Sequence, residues 1–161
     1  MAHGEHAYAA RLVWDGNTGR GTSGYTAYGR EHRVLMDGKP ELALTADPAF
    51  RGDPHRHNPE DLLLAALSSC HMLSYLALCA RQGVSVLSYH DDARGMMRLD
   101  AGGGGRFVEV TLRPQVVISD GGDVELATAL HDRAHALCFI ASSCGFPVHH
   151  QPAVRTREGG R

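Results

Sequence analysis

Short segments in which apolar and polar residues alternate flank one long apolar segment in the middle of the chain. In one of them, Val108, Val110 and Leu112 alternate with polar residues, as expected for a β-strand with one buried face. Similar segments, bounded by turn residues, predict further strands. The predicted strands cover residues 7–14, 25–35, 41–45, 84–99, 107–118 and 148–155.

The long apolar segment opens with a strong helix start signal. Asn58 suits the N-cap, Pro59 suits the first helical position, and Glu60 suits the positive end of the helix dipole. Gly83 is a natural stop, so a helix is expected over residues 59–82.

Residues 62–80 contain no Asp, Glu, Lys or Arg, and this length is close to that of a membrane-spanning helix. Several serines, a histidine and a tyrosine interrupt the segment, which favours a buried helix of a soluble protein. Such a helix is apolar on nearly every face, and a small domain cannot easily cover it alone. We therefore expect burial under a sheet and against a second copy of the chain.

A second helix is expected over residues 123–143, before Pro147. Residues 84–99 and 107–118 are expected to form an antiparallel pair. The order of strands, long helix, strands, helix and strand predicts an α+β fold with antiparallel sheet, in a single domain over residues 1–161.

Charge and cysteine content narrow the classes of protein. Lys and Arg number 16 and Asp and Glu number 18, and the formal net charge of -2 gives no electrostatic reason to expect nucleic acid or an anionic membrane as a partner. The N-terminal segment lacks the basic and apolar run of a secretory signal. The 4 cysteines are therefore expected to be reduced thiols in a cytoplasmic protein.

Cys70 lies about twelve residues into the first predicted helix, where a cysteine is by default a small, inert core residue. The helix dipole fades after the first turn, so a reactive Cys70 needs a cation from elsewhere to stabilise its thiolate. The loop of residues 50–57, which contains Arg51 and Arg56, is a candidate source. Glu60 lies roughly 15 Å from Cys70 along the helix, so the two side chains of one chain cannot touch. Glu60 therefore acts on the thiol through a bridging arginine or from a second subunit, or its only role is a favourable interaction with the helix dipole.

The other cysteines differ in their expected roles. Cys79 is about half a turn out of phase with Cys70, so we assign it to the core. Cys138 falls in the second predicted helix, three residues after His135 and on the same face. His135 either polarises that thiol or packs as a satisfied histidine. Cys144, near the end of this helix, is an alternative second thiol.

Two segments carry a pattern that resembles a known family. The segment NPEDLLLAALSSCHMLSYLALCARQGV, residues 58–84, resembles the central helix of the OsmC/Ohr family of hydroperoxide reductases, with its Asn-Pro-Glu start and peroxidatic cysteine. The segment AHALCFIASSCGFPV, residues 134–148, is similar to the second-cysteine region of that family. Phe139 stands where the best-known members have proline, which indicates a less studied, OsmC-like branch.

The resemblance implies an OsmC-like α+β fold, with antiparallel sheets packed on a long central helix, and an intertwined homodimer with active sites at the subunit interface. It also implies a peroxidase of the oxidative stress response. Its substrates would be organic peroxides, with hydrogen peroxide as a second candidate. Cys70 would attack the peroxide and become a sulfenic acid, and Cys138 would condense with it to a disulfide. A thiol or dithiol reductant would then reduce that disulfide.

The resemblance further implies that a glutamate and an arginine assist. Glu60 matches the glutamate of the family's Asn-Pro-Glu start directly. Arg51, in the loop before the helix, fits the OsmC branch best and is the arginine that we assign. Arg20 fits the Ohr branch, and Arg30 and Arg56 are further candidates. The guanidinium would hold the attacking cysteine as a thiolate and stabilise charge on the departing alkoxide.

Two other functions compete with the peroxidase. A metal-binding protein would combine histidines with Cys70 or Cys138 as ligands, although no Cys-x-x-Cys or His-Glu-x-x-His motif supports it. The candidate histidines are His55, His57, His71, His131, His135, His149 and His150. The second competitor is a non-catalytic small-molecule-binding protein on the same fold. The glycine run 102–105 precedes no predicted helix, so we expect a turn there, and no bound cofactor is expected.

Overall fold

The computed structural model describes residues 4–157 and divides into two compact units, one ending at Leu62 and the other beginning at Leu63. The expected α+β organisation, with antiparallel sheet and helix, is confirmed. The single domain over residues 1–161 stays a prediction.

The N-terminal unit contains a three-stranded antiparallel sheet in the order β1-β2-β3. The strands are Arg11–Trp14, His32–Leu35 and Leu42–Leu44. The predicted strand over residues 25–35 is too long, because residues 25–31 form turns and loop. The Arg30 guanidinium explains the difference, since it donates to the carbonyl oxygens of Tyr25 at 2.9 Å and Tyr28 at 2.5 Å and so occupies acceptors that a strand ladder would need.

Helix α1 covers Pro59–Arg81 and begins and ends as the sequence predicts, within one residue. Asn58 Oδ1 accepts from the Asp61 backbone N–H at 2.8 Å, and Asp61 Oδ2 accepts from the Asn58 backbone N–H at 3.2 Å. This reciprocal arrangement satisfies two backbone donors at the helix start. Gly83 takes a positive φ of 73° just after the helix, a conformation that glycine adopts without a steric penalty.

Helix α1 is also long and apolar enough to cross a membrane by length and composition alone, with a mean hydropathy of 1.8 in its most apolar window. The core helix of a soluble protein passes the same test, so one such helix is weak evidence for a membrane segment.

The C-terminal unit contains two three-stranded sheets, in the orders β4-β7-β9 and β5-β6-β8. The strands are Val86–Asp91 (β4), Arg94–Leu99 (β5), Gly105–Leu112 (β6), Pro114–Ile118 (β7), Val148–His150 (β8) and Ala153–Thr156 (β9). The pairs β4–β7 and β5–β6 are antiparallel, which confirms the predicted pairing, while β8 and β9 run parallel to their neighbours.

Each of the two long predicted strands is divided between these sheets. Asp91 ends β4, and its carboxylate accepts from the backbone N–H of Arg113, which separates β6 from β7, at 2.6 Å. A side chain therefore takes the place of a backbone partner where the chain passes from one sheet to the other.

The prediction of one continuous helix over residues 123–143 is wrong, because the structure has two helices there. Helix α2 covers Val124–Ala136, and a separate short helix, α3, covers Phe139–Ser142. Between them Cys138 is extended, with φ of -75° and ψ of 107°, and serves as the N-cap of α3. Its sulfur accepts from the Ala141 backbone N–H at 3.5 Å, and this local bond competes with continuation of the helix.

The core of the C-terminal unit consists of two clusters of buried side chains. One surrounds Tyr75, Ile118 and Leu130, and the other surrounds Leu67 and Leu112. Helix α1 contributes to both clusters, so the segment that carries Cys70 lies against well-packed core.

Candidate functional site

The two cysteines that the resemblance pairs are neighbours in the structure. Cys70 lies on α1, one turn after the fully buried Leu67, and is half-buried. Cys138 is 1% exposed, and the thiol of Cys70 is close enough to raise its pKa. Both are free thiols. Of the two cysteines, Cys70 is thus the more exposed and Cys138 the more enclosed.

Burial raises the pKa of Cys138 to about 11, and the neighbouring Cys70 thiol acts in the same direction. The backbone N–H groups of Ala141 and Ile140 act in the opposite direction, because they donate to the sulfur and favour its ionised form. In the reduced protein Cys138 is therefore a protonated thiol, held at the start of α3 by its backbone donors.

The position of Cys138 corrects the sequence prediction. Cys138 is not inside the second helix, because α2 ends at Ala136, and it does not share a helix face with His135. The physical reason is the break at Leu137, whose N–H still bonds back to Arg133 and Ala134 while the next residue turns out. The sulfur is influenced by Cys70 and by backbone amides rather than by an imidazole.

The remaining two cysteines pack in the core. Cys79 is 1% exposed and belongs to the cluster around Tyr75, which confirms its assignment to the core. Cys144 is half-buried against the cluster around Leu67. Burial is the largest influence on both thiols and raises their pKa.

Glu60 lies in the N-terminal unit, where it lines a cavity of about 310 Å³. Aromatic side chains form much of the wall, among them Trp14, Tyr28 and Phe50, and Arg30 also lines it. The guanidinium of Arg30 lies 4.0 Å above the centre of the Tyr28 ring, a cation–π contact that fixes the charge at the cavity wall. Among the candidate arginines, Arg30 is thus the one that shares a cavity with Glu60.

The assigned arginine, Arg51, lies next to that cavity in sequence, since it follows the lining residue Phe50. It ends a short 3-10 helix, Pro48–Phe50, and has a φ of 68°. Within residues 4–157 it is the only non-glycine residue with positive φ. The following Gly52 is needed because a Cβ there would collide with the carbonyl of Ala46. A long cationic side chain is therefore presented from a strained turn.

The other two candidate arginines are less constrained. Arg56 pairs with Asp53 at 3.7 Å near the surface, and Arg20 lies in an exposed turn between β1 and β2. Asp53 in turn organises the loop, because its side chain accepts from the His55 backbone N–H at 2.9 Å.

The predicted metal ligands form no metal site among residues 4–157, where no group of three or more His, Cys, Asp or Glu side chains is arranged to hold an ion. Instead, four of the histidines form a cluster that sequence reasoning missed: His71, His131, His135 and His150. The spacing of His131 and His135, four apart on one helix face, was a signal for the cluster, but their partners lie on other elements.

The chain is similar to known proteins over most of its length. A family model described as OsmC-like protein matches residues 52–151. The chain is 30% identical to an OsmC-like protein of unknown function from Vibrio cholerae, with a TM-score of 0.83 and coverage of 92% of this chain and 100% of that chain. This similarity extends through both units.

More distant relatives share the fold. An organic hydroperoxide resistance protein from Elizabethkingia anophelis is 18% identical, with a TM-score of 0.70 and coverage of 97% of this chain and 100% of that chain. The uncharacterized protein YmaD of Bacillus subtilis is 21% identical over 159 residues, which cover 97% of this chain and 98% of that protein.

Proposed function

Because the chain belongs to the OsmC-like protein family, we propose that it is a thiol-dependent hydroperoxide reductase with Cys70 as nucleophile and Cys138 as resolving thiol. The observation that carries the proposal is the proximity of the two thiols, one half-buried and one fully buried. Organic hydroperoxide resistance proteins among the structural neighbours support the substrate class.

The proposed reaction has three balanced steps. The Cys70 thiolate attacks the outer oxygen of the hydroperoxide, the O–O bond breaks, and the alcohol leaves after taking up a proton. The sulfenic acid that forms on Cys70 is attacked by Cys138, which forms the S–S bond and releases water. Two equivalents of an external thiol then reduce the disulfide and are themselves oxidised to a disulfide. No cofactor is required by this sequence of steps.

We assign Arg51 and Glu60 as the assisting pair. Arg51 would stabilise the Cys70 thiolate and the developing alkoxide, and Glu60 would orient the guanidinium. The strained backbone of Arg51 supports its assignment, whereas the position of Arg30 in the cavity with Glu60 makes it the natural comparison. Single Arg51→Ala and Arg30→Ala variants separate the two, because only loss of the assisting arginine slows oxidation of Cys70.

A homodimer is part of the proposal. Apolar side chains remain exposed in the C-terminal unit, including Leu73 on α1 at 61% and Phe139 beside Cys138 at 79%. A second copy of the chain would cover such surface. The near-neutral net charge of -2 fits a protein of the cytoplasm that acts on small peroxides and a thiol reductant, without nucleic acid or membrane partners.

The decisive experiment measures consumption of an alkyl hydroperoxide with a dithiol donor. The wild-type protein is expected to turn over, and Cys70→Ser is expected to reduce the rate by at least about a thousandfold, because the nucleophile is lost. Cys144→Ser is the matched control, since it removes a half-buried thiol from the same unit and should retain most activity. Equal rates for Cys70→Ser and wild type would refute the proposal.

A further inference from the structure

Four histidines form a cluster on the elements that carry the two thiols, and the proposed reaction does not use them. His71 lies on α1, His131 and His135 on α2, and His150 on β8. His71 and His131 are completely buried. Burying uncharged imidazoles so deeply is costly unless their nitrogen atoms are paired, so the way in which they pair is informative.

His71 and His131 are joined by a hydrogen bond between Nε2 of His71 and Nδ1 of His131, 3.0 Å apart. Their ring planes lie within 9° of each other and their centres are 5.3 Å apart, so the bond runs nearly in the plane of both rings. The His131 ring also lies face to face on Tyr75, with ring centres 3.8 Å apart. A stack on one side and a hydrogen bond at the edge fix the orientation of His131.

Burial keeps the pair of His71 and His131 neutral, and neighbouring charged groups modify the effect. Burial is the main cause that lowers the pKa of His71 to about 4 and that of His131 to about 3. His150 from β8 and His135 from α2 lower the pKa of His71 further, and Asp132 from α2 opposes the shift of His131.

The remaining titratable groups near the pair are held neutral as well. Tyr75 and Cys79 on α1 and Tyr89 on β4 all have their pKa raised by burial. At neutral pH both imidazoles are therefore uncharged, and one donates its N–H while the other accepts.

This bond joins the two segments on which the thiols lie. His71 directly follows Cys70 on α1, and His131 lies on α2, which ends two residues before Cys138. A shift of α2 along α1 would break the imidazole bond and move the start of α3, whose N-cap is Cys138. The bond therefore opposes a shift that would change the distance between the two sulfurs.

We propose that His71 and His131 are positioning residues whose mutual hydrogen bond holds Cys138 against Cys70 and so raises the effective concentration of one thiol at the other. The role in peroxide turnover rests on the proposed function, but the effect on the dithiol pair does not, because a disulfide also forms without peroxide. With glutathione disulfide as oxidant, Cys70 and Cys138 lose two electrons and two protons to form the S–S bond, and two molecules of glutathione are produced.

The test is a redox titration of the Cys70–Cys138 pair against glutathione, in a background with Cys79 and Cys144 replaced by serine, or by alanine if the double serine variant is unstable. His131→Leu removes the bond and keeps a similar volume, whereas His131→Asn places an amide atom where Nδ1 stood and restores the bond. Leu130→Ala is the matched control, because it disturbs the buried packing of α2 next to His131 without removing a polar contact.

The expected result is that His131→Leu lowers the effective concentration about tenfold, equivalent to about 30 mV in reduction potential, while His131→Asn stays within about threefold of the parent. The double variant His71→Leu with His131→Leu is expected to be no worse than either single variant, since the same bond is lost only once. If His131→Leu is not folded by circular dichroism, His131→Phe carries the same expectation and retains the stack on Tyr75.

Equal effects of Leu130→Ala and His131→Leu, or no effect of His131→Leu, would overturn the proposal. Failure of the proposed function has a different signature: wild-type Cys70 would not react with peroxide, while the glutathione titration would still report on the imidazole bond.

Discussion

Two pairs of side chains connect α1 with the chain around α2, and they differ in what each must do. The thiol pair has one half-exposed member, Cys70, and one buried member, Cys138. Both members of the imidazole pair, His71 and His131, are fully buried. In the proposed reaction the thiols exchange bonds in every cycle, whereas the imidazoles keep theirs.

The comparison shows that burial favours the uncharged form of either chemical group. It raises the pKa of the Cys138 thiol and lowers the pKa of the His131 imidazole. A group that is to react as an ion must therefore lie at the edge of the core or receive compensating donors. Cys70 is half-buried and so lies at the edge of the core. Cys138 is buried, but the Ala141 backbone N–H at the start of α3 is a compensating donor for its sulfur.

The largest effect expected from this difference comes from Cys138→Ser. Cys70 of this variant should still be oxidised once by an alkyl hydroperoxide, because the attacking sulfur is retained. With a bulky dithiol donor, multiple turnover should fall by at least about a hundredfold, since the internal disulfide no longer forms. Trapping of the Cys70 sulfenic acid, read by protein mass, is the measurement. Unchanged turnover would show that the second thiol is dispensable.

A smaller effect is expected on the free energy of unfolding, which the pair of His71 and His131 makes sensitive to acid. The pKa values of His71 and His131 in the folded protein, about 4 and about 3, lie below the ordinary value of 6.5. As the pH falls below 6.5, the unfolded chain therefore binds protons before the folded protein does. The stability present above that pH is lost toward pH 4, by up to about 1.4 kcal/mol per pH unit for each histidine.

The matched comparison is the double variant His71→Leu with His131→Leu. The free energy of unfolding, from urea titrations at pH 7, 6 and 5, should depend less on pH in this variant than in the wild type. Identical slopes would mean that the two imidazoles are not the source of the acid sensitivity.

The smallest effect is expected at the edge of the histidine cluster. Asp132 accepts from His150 at 2.8 Å, but its side chain is 83% exposed, and an ion pair so open to water contributes little. Asp132→Asn should change the free energy of unfolding at pH 7 by less than about 0.5 kcal/mol. A loss above about 1 kcal/mol would show that this contact holds β8 in place.

Local signals made much of the fold predictable. Asn58, Pro59 and Gly83 set the ends of α1, because capping and glycine chemistry act within a few residues. The break before Cys138 was not predictable in the same way. At the break the Ala141 backbone N–H donates a weak hydrogen bond to the sulfur of Cys138, which no propensity of the surrounding residues indicates.

The candidate site was predictable only where family resemblance supplied the link between distant residues. Cys70 and Cys138 were paired through the resemblance, and they are neighbours in the structure. His71 and His131 were considered only as metal ligands, because nothing in their spacing along the chain shows that they bond to each other. Arg30 lies in the cavity with Glu60 through its contacts with tyrosine side chains and carbonyls, which the sequence does not reveal.

The N-cap role of Cys138 also makes α3 an internal reporter of oxidation. Bonding to Cys70 would draw the sulfur of Cys138 away from the position in which it accepts from the amide of Ala141. The first turn of α3 would then fray, and this amide would exchange with deuterium faster in the oxidised protein than in the reduced one. A single backbone proton would in this way distinguish the two redox states without any label on the sulfur.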